Sequence, residues 1–166
     1  MEIQAALKSQ YHGALAMLRQ AVERCPDDLW AAGEHPRAFW RIAYHALFYT
    51  HFYLQRDVDA FRTWDGHRRD TQFLEALPWP PHAQPEVVEP YTKREVLAYW
   101  GVVDRMIDDG VDRLDLDAPE CGFPWYRMPK LDHQIMNVRH IQQHVGQLAE
   151  RLVAVGADPD GIGPGP

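Results

Sequence analysis

Two histidines four residues apart carry the clearest chemical signal in this chain. His140 and His144 lie in the stretch Asp132 to Val155, which reads DHQIMNVRHIQQHVGQLAERLVAV. On an α-helix a spacing of four stacks two side chains on one face, a turn apart and ~40° round the axis. Leu148, Ile141, Leu152, Val145 and Val138 follow at ~80° to ~160° on the same wheel. Gln142, Gln143, Arg139 and Glu150 take the other side. The two imidazoles therefore sit at the edge of a core-facing stripe, half buried and still reachable. Neutral imidazoles so placed form a bidentate clamp for a metal ion. The spacing alone is a weak signal. Nine histidines among 166 residues give about 0.5 such pairs by chance, and the competing reading is one structural and one solvated histidine.

A third ligand has to come from elsewhere. The stretch PRAFWRIAYHALFYTHFYLQ, from Pro36 to Gln55, is apolar nearly all round, and His45 stands in its middle. A helix of that kind belongs at the centre of a bundle, where a buried imidazole needs partners for its nitrogens. His45 can face His140 and His144 if the two helices are neighbours. Three imidazole nitrogens leave a coordination position open, as catalytic zinc sites do, where a bound water or thiol becomes acidic. His51 is about 240° round the helix from His45 and is expected to meet a tyrosine or water instead. His133 is about 10 Å from His140 along the helix, too far to share the ion. Ile141 stands where a zinc peptidase carries its glutamate base, so a peptidase is not expected.

The elements that must position these residues can be read in order. Leu7, Tyr11, Ala14, Leu15, Leu18 and Val22 recur at helical steps and predict an amphipathic helix over Ile3 to Arg24, ended by Cys25-Pro26. His12 is expected to be a surface or packing residue there. The residues from Asp28 to Pro36 read as a connection. The second helix runs from Pro36 to about Gln55. The segment from Arg56 to Pro90 holds five prolines after Leu77 and reads as an irregular crossover with a short helix at Asp70 to Leu77. Thr92-Lys93-Arg94-Glu95 is a capping box opening a third helix to about Leu114. Most of Asp104, Asp108, Asp109 and Asp112 are expected on its solvated face. After a proline-rich connection, Asp132 is expected to cap the fourth helix. Residues 157–166 read as a flexible tail after a single domain over residues 1–156. The architecture expected is an all-α four-helix bundle with a long irregular crossover between helices two and three. Trp64 and Trp79 in the crossover, Trp125 and Tyr126 in the last connection, and Asn137 one turn before His140 are candidate pocket residues.

Bulk composition narrows the partners. The net charge of −7 argues against nucleic acid, which requires a basic surface. No stretch is long and apolar enough for a membrane span, and no signal peptide is visible. Cys25 and Cys121 are expected to be free thiols in a cytoplasmic protein.

The second helix with its central histidine (RIAYHALFYTHFYL), followed by a last helix reading NVRHIQQHVGQL, resembles the DinB/YfiT-like metalloproteins. The resemblance covers about residues 3–155. It implies a four-helix bundle of up-down-down-up connectivity and a divalent metal ion, nickel or zinc, on His45, His140 and His144. It also implies a homodimer and, for the activity, a transferase or isomerase using a low-molecular-weight thiol on a small-molecule substrate. A hydrolase is a further expectation. The basic residue that often follows the last ligand in that family is here Val145. The competing expectation is a non-catalytic metal-binding or structural bundle that acts as a homodimer.

Overall fold

A computed structural model describes residues 3–157, 159 and 160. Among them every regular element is helical and no strand occurs. Helix α1 spans Ile3–Arg24 and buries Leu7, Tyr11, Ala14, Leu15, Leu18, Ala21 and Val22, the face read from its periodicity. Pro26 then opens a single turn, α2 (Asp27–Trp30), inside the stretch expected to be a connection. Its Trp30 Nε1 donates to the Tyr91 carbonyl at 2.7 Å. Helix α3 (Phe39–Tyr53) starts three residues after Pro36, because the Phe39 amide is held by the Ala32 carbonyl rather than by a preceding turn of helix.

The crossover after α3 holds one 3₁₀ turn, Val58–Ala60, and otherwise turns and extended chain. The short helix expected at residues 70–77 does not form. Asp70 has φ 60°, outside the right-handed region. The carbonyls of Asp70 and Phe73 accept from the Arg41 guanidinium, as does that of Glu86. Arg41 is 1% exposed, so a buried cation on α3 takes up the acceptors a helix would have used.

The capping box is present. The Glu95 amide donates to Thr92 Oγ1, the Thr92 amide donates to Glu95 Oε2, and α4 runs over Lys93–Arg105. The third helix is broken at Met106, whose amide bonds the Val103 carbonyl in a tight turn, and α5 follows over Ile107–Asp112. Gly110 is required by a close approach: a Cβ there would lie 2.7 Å from Leu54 Cδ2.

The last helix, α6, spans Lys130–Ala154. It begins two residues before the expected cap. Pro129 occupies that position without a side-chain cap bond, and Asp132 lies in the first turn, where a carboxylate favours the helix dipole. Helices α1 and α3 each pack against both α6 and α4, and α5 packs against α1. The proposed tail falls largely outside the described residues. Within the described part, Ala157 packs on the core and Asp160 pairs with Arg24. No described helix is long and apolar enough to cross a membrane.

Candidate metal centre

Helix α3 supplies His45 and helix α6 supplies His140 and His144. Because α3 packs directly on α6, the three rings meet. His45 Nε2 lies 3.0 Å from His140 Nε2, and His144 Nε2 lies 3.0 Å from the same atom. All three ligand nitrogens fall within 4.8 Å of one another. The rings converge edge-on, with interplanar angles of 53°, 76° and 85°. Among the described residues this is the one group of three or more His, Cys, Asp or Glu side chains so arranged. The four aspartates of α4 and α5 form no such group.

The outer ring nitrogens fix the tautomers. His45 Nδ1 is 2.6 Å from the Gln72 carbonyl. A carbonyl only accepts, so the proton is on Nδ1 and Nε2 carries a lone pair. His144 Nδ1 is likewise 2.9 Å from Gln147 Oε1, which gives its Nε2 a lone pair too. Between these two lone pairs sits His140 Nε2. A neutral His140 has one ring proton, enough for one of two acceptors 3.0 Å away, and its buried Nδ1 has no partner among the described residues. Hydrogen bonding among the rings therefore leaves the cluster unsatisfied. A cation at their common point satisfies all three nitrogens, and the donor set suits a divalent transition metal.

Electrostatics keeps the rings in the ligating form. Burial pushes the pKa of His45 well below the usual histidine range, and its two neighbours add to the effect. Burial, then His144, lowers His140 to about 4. Burial also lowers His144, against the opposing hydrogen bond that its Nδ1–H donates to Gln147. All three are neutral at neutral pH, as metal ligation requires.

Two grooves meet at the cluster and share His45, Tyr49, His140 and Gln143. One, of ≈ 640 Å³, is walled by Tyr53, Tyr126, Met136 and Arg139. The other, of ≈ 380 Å³, is walled by Phe73, Leu74, Pro78, Arg37, Glu75 and His144. Among the described residues no fourth His, Cys, Asp or Glu joins the three, and the cluster borders both grooves.

The candidate pocket residues are scattered. Tyr126 lines the larger groove, its hydroxyl 3.3 Å from that of Tyr53. Trp125 stacks on Phe52 at 6.0 Å and is 53% exposed. Trp79 packs edge-on against Phe73, which walls the smaller groove. Trp64 lies flat on Tyr99 at 4.8 Å and borders neither groove. Asn137 is fully buried and lines neither groove, with Nδ2 on the Thr50 carbonyl and no partner for Oδ1 among the described residues. His133 is packed among Tyr53, Phe123 and Tyr126, apart from the cluster. His51 meets the Tyr99 hydroxyl at 3.0 Å. Cys25 and Cys121 are free and buried.

Several site residues escaped the sequence reading although helical spacing could have found them. Tyr49 is four residues after His45, Gln143 three after His140 and Gln147 three after His144, all neighbours on their helices. Arg37 and the Gln72 carbonyl come from irregular segments and have no periodic signal. Compared with known proteins, the chain matches no family model, no curated protein and no solved structure.

Proposed function

We propose that this protein is a divalent-metal-dependent enzyme of the DinB/YfiT-like kind, acting on a small molecule with a low-molecular-weight thiol as co-substrate. In this reading α1, α3, the α4–α5 pair and α6 are the four members of an up-down-down-up bundle. The packing of α1 and α3 on both α4 and α6 supports that arrangement, as does the long crossover between α3 and α4. The reaction is a group transfer or isomerisation, in a cytoplasmic homodimer.

One observation carries the proposal. Three neutral imidazoles from two helices aim Nε2 at a common point that borders two grooves. His45, His140 and His144 hold the ion, nickel or zinc. When bound, the ion supplies Lewis acidity, lowering the pKa of the thiol or water that completes its coordination. The Gln72 carbonyl and Gln147 hold the His45 and His144 rings in ligating tautomers. Tyr49 stands where the grooves join, and burial, then Tyr126, raise its pKa to about 12. Its hydroxyl keeps its proton at neutral pH and donates to an oxygen of the substrate. The aromatic wall of the larger groove excludes water from the reacting groups.

The test is elemental analysis of protein purified without a histidine tag, followed by thiol-consumption assays. About one nickel or zinc ion per chain is expected, lost in His144→Ala while the helical circular dichroism is kept. A folded wild-type protein that takes up no metal sinks the proposal. A metal-loaded protein inert toward every thiol leaves the non-catalytic bundle.

A further inference from the structure

Each groove carries one arginine, Arg139 in the larger and Arg37 in the smaller, and the setting of Arg37 assigns a ligand chemistry to the smaller one. Its walls are apolar at Phe73, Leu74 and Pro78, with one cation, Arg37, and one carboxylate, Glu75. The Arg37–Glu75 contact is loose: 3.6 Å, with the Glu75 side chain 83% exposed and that of Arg37 43% exposed. A guanidinium offers five N–H donors in a fork that matches a carboxylate. That contact uses little of this capacity.

A second guanidinium stands close by. Arg151 Nη1 donates to the Arg37 backbone carbonyl at 2.9 Å, and no carboxylate pairs with Arg151 among the described residues. Arg37 lines the same groove as His45, His140 and His144 and so borders the ligand cluster. A dication bound on three neutral ligands would add to the charge of Arg37 at this end of the groove, in a chain whose net charge is −7. Among the described residues Glu75 is the single acidic side chain on its wall. An exposed residue held by one long contact is readily displaced.

We infer that the smaller groove is a subsite for a small molecule ending in a carboxylate, which displaces Glu75 and docks on Arg37 while its other end reaches the point shared by His45, His140 and His144. The apolar wall formed by Phe73, Leu74 and Pro78 covers the short chain between the two ends. The tyrosine-lined groove reaches the same point, sharing His45 and His140 with the smaller one, and is left for the second reactant. The assignment rests on the metal-centre reading above and adds the class of ligand and the residue that selects it.

The experiment is calorimetric titration of the metal-loaded protein with thiols that differ only in their far end. Mercaptoacetate, 3-mercaptopropionate and 4-mercaptobutyrate are compared with 2-mercaptoethanol. At least one of the acids is expected to bind about tenfold more tightly than the alcohol, the gain of a charge-assisted hydrogen-bonded pair. Arg37→Gln erases that preference and keeps the metal, since the Arg37 contact to Arg151 is made by the backbone. Arg37→Lys keeps part of it, the charge remaining and the fork being lost. Glu75→Gln removes the internal competitor and tightens the acids without affecting the alcohol. Metal content and circular dichroism are measured on every variant. Thiol binding with no preference for the acids in the wild type, or a preference that survives Arg37→Gln, overturns this inference and leaves the metal centre standing. A wild-type protein that binds no metal overturns both.

Discussion

His45 Nε2 and His140 Nε2 lie 3.0 Å apart although 95 positions separate the two residues in the chain. Neither ring can satisfy the other as well as His144, which approaches the same atom of His140 at 3.0 Å. The contact is therefore the geometric core of a group that could hold a metal ion, and what surrounds it determines how firmly the three rings are held.

The outer partner of His144 is a side chain and can be removed alone. Gln147→Leu deletes the oxygen that holds the Nδ1 proton. Metal affinity is expected to fall about 10- to 100-fold, the usual cost of losing an outer partner of a ligating histidine. Competition with a chromophoric chelator measures it. An unchanged affinity would show that this bond does not orient the ring.

The outer partner of His45 is a backbone carbonyl, so it is reached through the residue that holds that backbone. Arg41 bonds the carbonyls of Asp70 and Phe73, on either side of Gln72. Arg41→Met leaves these buried acceptors unpaired and is expected to cost about 2–5 kcal/mol in urea unfolding. Metal affinity should fall with it, in contrast to a distant core substitution of equal cost. A destabilised variant with wild-type affinity would separate the crossover from the centre.

Two buried histidines outside the centre make the fold acid-sensitive. Burial lowers His51 to about 4, and burial with the nearby charge of Lys130 lowers His133 to about 4. In the unfolded chain each titrates near 6.5. Between these values the unfolded state binds more protons, so stability is full above the unfolded value and falls with falling pH. Each group contributes up to about 1.4 kcal/mol per pH unit. His133→Phe removes one such group and the unpartnered Nε2. Its stability relative to wild type should rise as pH drops from about 7 to about 5. Parallel curves would contradict the assignment.

His12 has the opposite sign. The structure places this half-buried residue between Asp104 at 2.8 Å and Asp108 at 3.2 Å, where it bridges α1 to α4 and α5. Burial lowers its pKa, but the hydrogen bonds and charges of the two aspartates prevail and raise it. Its contribution is fully present below the unfolded value of ~6.5 and is lost as pH rises through the folded one. His12→Gln should cost up to about 1 kcal/mol in acid and less in base, as a partly exposed pair allows. Urea titrations at two pH values decide it.

Helix identity was legible wherever one face of a segment was apolar. The stripe of α1, the all-round apolar α3, the Thr92–Glu95 box and the paired histidines of α6 are all visible as residue spacing. Element ends were less legible because they depend on distant partners. The break at Met106 accompanies the close approach of Gly110 to Leu54, and the missing helix at residues 70–77 reflects the claim of Arg41 on its carbonyls.

The chain's local spacing thus determined that two imidazoles share one helical face and that a third lies mid-helix in an apolar segment, since side-chain direction on a helix follows from its period. Only the tertiary structure decided that the third ring points at the other two and that Gln72 and Gln147 fix their protons. It also decided that Arg37, and not Trp64, borders the result. Those relationships depend on how α3 packs on α6 and where an irregular crossover comes to rest, and no periodicity encodes either.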